Sequence, residues 1–80
     1  MTTQFLAAVE CYKILVVEDD DGFAMLYDRF LKSTERRNYE IKRTTTAAQG
    51  IAACLEYDFD CLIVDYFLPD TSGTVMLNTL

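Results

Sequence analysis

The stretch YKILVVEDDD, residues 12–21, decides the fold. Apart from Lys13 its first six residues form an apolar run rich in β-branched side chains, and the chain then passes at once into four acids, Glu18 to Asp21. A run this short and this apolar suits a strand buried on both faces of a parallel sheet. A second run of the same design, CLIVD at residues 61–65, ends in a single acid, Asp65. The two runs therefore read as strands that each leave the sheet at a carboxylate.

The segments between them complete the pattern. From Gly22 to Lys32, apolar Phe23, Leu26, Tyr27, Phe30 and Leu31 recur at spacings of three and four and share one helical face, with Asp20 or Asp21 placed to cap the helix. Ser33 to Asn38 is a polar connection, after which Tyr39 to Thr44 alternates in the manner of a more exposed edge strand. Thr46 followed by Gln49 has the spacing of a capping box, opening a helix that carries Ile51, Ala52 and Leu55 despite Gly50 in its interior. After Asp65 the stretch YFLPDTSG is loop chemistry, and Gly73 to Leu80 starts a third helix. The order β-α-β-α-β-α, with helical crossovers, makes the strands parallel and the class α/β.

Composition narrows the chemistry. Eighty residues make one small domain, and 51% apolar with 25% charged residues is globular composition. Seven Lys and Arg stand against thirteen Asp and Glu, a net charge of −6, which disfavours direct nucleic-acid binding. The chain has no histidine, which removes Ser-His and Cys-His nucleophile pairs and His-ligated zinc. No GxxxxGK loop is present. Cys11, Cys54 and Cys61 are odd in number and lack CxxC spacing, so they read as small hydrophobes in a reducing compartment. The start, MTTQFLAAVE, lacks the basic region of a secretory signal, and no run approaches the ~20 apolar residues of a membrane span. A cytoplasmic location without membrane contact is the expectation.

In open parallel sheets ligands bind outside the carboxyl ends of the strands. Glu18, Asp19 and Asp65 are expected to converge there, with Asp19 facing Asp65 across neighbouring strands about 4.8 Å apart. Carboxylates this close repel, a cost that a divalent cation offsets, and oxygen-only donors suit Mg²⁺ or Mn²⁺. A carboxylate held beside such a cation is a nucleophile for phosphoryl transfer, which singles out Asp65. The plainer reading is that Glu18 to Asp21 cap the first helix and Asp65 solvates a turn.

The segments KILVVEDD and LIVDYFLPDTSG, in this order and spacing, resemble the receiver domain of two-component response regulators. The resemblance runs from about Lys13 to Leu80 and leaves residues 1–12 as an N-terminal extension. Its most discriminating piece is the pattern Asp65, Pro69, Gly73. It implies the N-terminal portion of a three-layer, flavodoxin-like parallel sheet with strand order 2-1-3. It also implies a phosphorelay signalling role in which Asp65 accepts a phosphoryl group from a histidine kinase or phosphotransfer protein. Glu18 and Asp19 match the family's acidic pair, with Asp20 as the register alternative. The resemblance implies that Asp19 and Asp65 bind Mg²⁺ directly, Glu18 acts largely through water, and the backbone carbonyl of Phe67 completes the protein ligands. Such a domain assists its own phosphorylation and is not a metabolic enzyme.

Complete receivers have five strands, with a Ser or Thr ending the fourth and a Lys ending the fifth; here the lysines are Lys13, Lys32 and Lys42, all before the third strand. Without a fourth neighbour the third strand presents Leu62, Ile63 and Val64 at an open apolar edge, which suggests a homodimer. The alternative function is a non-phosphorylated, receiver-like interaction module, or an inactive fragment, using that edge. A metal-dependent phosphohydrolase is a third class, disfavoured because Phe67 stands where a second carboxylate would serve as acid or base. The five tyrosines read as half-buried packing residues and the cluster Arg36 to Arg43 as a solvated face.

Overall fold

Ile14, Leu15, Val16 and Val17 are four consecutive apolar residues, and only a strand flanked on both sides and covered on both faces hides them all. In the protein, seen in a computed structural model that describes residues 11–33 and 38–80, all four are buried and their strand is central. The elements are β1 (Cys11–Val17), α1 (Asp21–Lys32), β2 (Asn38–Thr44), α2 (Ala47–Glu56), β3 (Cys61–Val64) and α3 (Gly73–Thr79). Both neighbours pair parallel to β1, giving the order β2-β1-β3 of a flavodoxin-like α/β sheet. Cys11 and Tyr12 belong to β1, paired with Asn38 and Tyr39; residues 1–10 of the expected extension lie outside the described residues. So do Arg36 and Arg37 of the basic cluster.

One face of the sheet carries the core. Leu15 and Val17 pack against Ala47 and Ala53 of α2 and Met76 of α3, with Ile51, Cys54, Phe59, Val64 and Leu68 at its margin. Gly50, the residue least suited to a helix interior, sits at the tightest point of this packing. A Cβ there would stand 2.8 Å from both Met76 Cε and Val17 Cγ2, so the glycine lets α2 approach the sheet and α3 together.

The other face is covered differently. Val16 and Ile41 line a recess there with Ala24 and Met25 of α1. No residue of α1 is buried, and the periodic face read from the sequence leaves Phe23, Leu26 and Phe30 exposed. Tyr27 and Leu31 of the same stripe are half-buried. Cys11 and Cys61 are exposed too, so of the three cysteines only Cys54 packs against the core. Among the described residues no helix is long and apolar enough to cross a membrane.

The helix starts follow local chemistry. Of the two acids able to cap α1, Asp20 does so, its Oδ1 accepting from Phe23 N at 3.0 Å. Thr46 caps α2 by accepting from Gln49 N, but the box is not reciprocal as expected. The Gln49 side chain accepts instead from the Thr45 backbone N–H and hydroxyl, at 3.1 and 3.0 Å, where two donors meet one oxygen. Ser72 caps α3 through Val75 N.

Candidate functional site

The register of β1 and β3 builds the site. The last paired residues are Val17 and Val64, so Glu18 and Asp65 stand one step beyond them at the carboxyl edge of the sheet. Asp65 N–H donates to Val17 O at 2.9 Å and Glu18 N–H donates to Thr44 O at 3.0 Å, extending both ladders by one residue. The neighbour of Asp65 across this edge is thus Glu18, with Asp19 one residue further on, whereas the sequence suggests Asp19 opposite Asp65. The three carboxylates still converge: one oxygen from each of Glu18, Asp19 and Asp65 lies within 4.8 Å of the others.

The run of four acids is divided by partner. Glu18 and Asp19 turn to the site, Asp20 caps α1, and Asp21 pairs with Arg43 at 2.7 Å. Asp20, the register alternative, has its carboxylate engaged by the helix. Glu18 is the one buried charged residue described, 2% exposed. Burial pushes its carboxyl up; a bond from the Asp20 N–H works against this, and a hydrogen bond with Asp65 plus the charges of Asp65 and Asp19 push it further up. Like charges at about 4 Å repel by about 1 kcal/mol in water and by roughly four times that at an effective dielectric near 20.

The acids floor a recess of about 360 Å³ that Phe23, Tyr27 and Phe67 also line. Phe67, expected to contribute only its carbonyl, is an exposed residue, at 77%. It forms an antiparallel bridge with Ser72 whose bonds, Gly73 N to Tyr66 O and Leu68 N to Thr71 O, come from the flanking residues. Neither the N–H nor the carbonyl of Phe67 itself takes part in them. Gly73 then lies so close to Asp65 that a Cβ would collide with the Asp65 carbonyl oxygen, which gives the glycine of the motif a steric reason. A buried carboxyl beside two others, with oxygen donors throughout, is a donor set that fits a hard divalent cation such as Mg²⁺.

Two residues that hold the site are not visible as such in the sequence. Asp70 accepts from Ala47 N and Ala48 N, both at 2.9 Å, tying the loop after β3 to the start of α2. These backbone bonds hold its carboxyl below the ordinary value. Arg43, read as part of a solvated face, grips the Glu18 carbonyl through Nε and Nη2 at 3.0 and 2.9 Å. The sequence shows Asp70 only as a turn residue after Pro69 and Arg43 only as one charge in an alternating strand; both partners are distant in the chain.

Residues 14–80 match the family described as response regulator receiver domain. The chain is 34% identical over 68 residues to the cell cycle response regulator CtrA of Brucella ovis and equally to that of Brucella abortus. Each alignment covers 85% of this chain and 28% of the relative, so the chain spans under a third of the length of these curated relatives. The crystal structure of a sensor protein from Polaromonas sp. JS666 superposes with a TM-score of 0.70 at 26% identity, covering 86% of this chain and 53% of that one.

Proposed function

The chain belongs to the response regulator receiver domain family, and on that premise we propose that it is a phosphorelay receiver whose Asp65 accepts a phosphoryl group from a histidine kinase or phosphotransfer protein. The observation that carries this reading is the convergence of Glu18, Asp19 and Asp65 within 4.8 Å at the carboxyl edge of the sheet. The family is a phosphoacceptor signalling module and not a metabolic enzyme. We assign residues 13–80 to the N-terminal portion of a receiver domain, whose first strand also takes in Cys11 and Tyr12 of the preceding residues 1–12, acting in the cytoplasm, without direct contact to nucleic acid or membrane.

In the transfer a carboxylate oxygen of Asp65 attacks the phosphorus in line, forming an acyl phosphate as the bond to the donor breaks and the donor leaves with the electron pair. The ladder bond from Asp65 N–H to Val17 O fixes the backbone from which the nucleophile projects. Glu18, Asp19, Asp65 and the Phe67 carbonyl would hold Mg²⁺, which when bound neutralises charge on the transferring oxygens and orients them. The exposed third-strand edge favours one further partner, a second copy of the chain.

The test is incubation with Mg²⁺ and acetyl phosphate, followed promptly by intact mass beside an Asp65→Asn control. One added phosphoryl group in the wild type and none in the control is the expected result. A folded wild type that gains no mass would shift the function to the alternative, a receiver-like module that binds a partner through its open edge without phosphorylation.

A further inference from the structure

We propose that Arg43 is a positioning residue for the acidic site, and that it decides which acids of the run Glu18 to Asp21 face it. The magnesium part of this inference rests on the metal site proposed above. Arg43 lies near the end of β2, paired with Val16 of β1, and its guanidinium reaches across the top of the sheet. Nε and Nη2 converge on a single acceptor, the Glu18 carbonyl, while Nη1 donates to Asp21 Oδ1 at 2.7 Å. One rigid fork therefore holds both ends of the turn that carries Glu18 and Asp19. With Asp21 held on Arg43 and Asp20 on the first turn of α1, the carboxylates left to meet Asp65 are those of Glu18 and Asp19. The turn spans only from the end of β1 to the start of α1, so rotating it by one residue would exchange a site ligand for the helix cap.

Geometry and charge make opposite predictions, which renders the idea testable. Removing a positive charge from the turn that carries Glu18 and Asp19 lessens repulsion of a cation and by charge alone strengthens its binding. Loss of the fork lets the turn relax and weakens it. Lysine keeps the charge but cannot hold the carbonyl and the carboxylate in one planar grip.

Wild type, Arg43→Gln and Arg43→Lys would be titrated with MgCl₂ by calorimetry, with backbone amide exchange measured on the same samples. Both variants are expected to bind Mg²⁺ roughly tenfold or more weakly, as for other residues that orient ligands from outside. The amides of Phe23 and Ala24, bonded to Asp20, should exchange faster in both, while those of Leu15 and Val16 keep wild-type rates. Equal or tighter binding in Arg43→Gln, or unchanged binding in Arg43→Lys, would overturn the proposal. If the wild type itself binds no Mg²⁺, the metal reading fails separately, and exchange at Phe23 and Ala24 then decides: unchanged rates refute the positioning role. Arg43→Lys carries the test alone should Arg43→Gln fail to fold.

Discussion

Gly73 shows how closely the site is built at the scale of one residue. Its N–H donates to Tyr66 O at 2.7 Å, and the position of a Cβ would overlap the Asp65 carbonyl while lying 3.1 Å from Val64 Cγ1. Backbone cannot move aside as a side-chain end can, so Gly73→Ala should cost roughly 1–3 kcal/mol, the usual range for overpacking. Urea unfolding measures it, and a variant as stable as the wild type would show that the loop yields. Asp20 makes the complementary point. Local spacing made it one of two readable caps, Asp20 or Asp21, whereas the bond of Asp21 to Arg43 is invisible to local spacing because the partner is on another strand.

At the scale of elements, the loop from β3 to α3 is tied down by Asp70. Its carboxylate accepts from the first two N–H groups of α2, donors that have no partner within a helix, and the positive end of the helix favours its charge. Because its folded-state value lies below the ordinary 3.8, the contribution to stability is fully present above that value and is lost as pH falls through the lower one. Thermal unfolding of Asp70→Asn against wild type should show the variant less stable at neutral pH and the gap closing in acid. A gap independent of pH would mean that the charge is not what holds the loop. The elements themselves were legible: the three strands, α1 and α3 begin and end within a residue of where hydrophobic runs and caps put them, and α2 opens directly after Thr46. The reciprocal box at Thr46 was not, since its outcome depended on a second donor at Thr45.

At the scale of the whole molecule, the described sheet has two edges of unlike character. β2 alternates in exposure and carries charges, which discourages further pairing, while β3 is four residues of Cys, Leu, Ile and Val. Its outer side pairs with no strand among the described residues, and Leu62 is exposed. Unpaired apolar edges recruit other strands. The 80-residue chain should therefore sediment as a dimer or larger species, with Leu62→Lys shifting it toward monomer; a monodisperse wild-type monomer would refute the edge as a contact.

What the sequence by itself determined is what short-range patterning can carry. Four apolar residues in succession at Ile14 to Val17 pointed to a strand buried on both faces of a parallel sheet, acids directly after two such runs pointed to carboxylates at one edge, and the spacing of Asp65, Pro69 and Gly73 carried the family. The tertiary structure alone decided the rest. The register of β1 against β3 brought Glu18 rather than Asp19 beside Asp65. Packing left Phe23, Leu26 and Phe30 of the apolar stripe of α1 exposed, and contacts across 22 or more positions assigned Arg43 and Asp70 their partners. Periodicity records which face a residue occupies, but a hydrogen bond between distant strands and loops depends on where the whole chain has folded, and no local pattern encodes that distance.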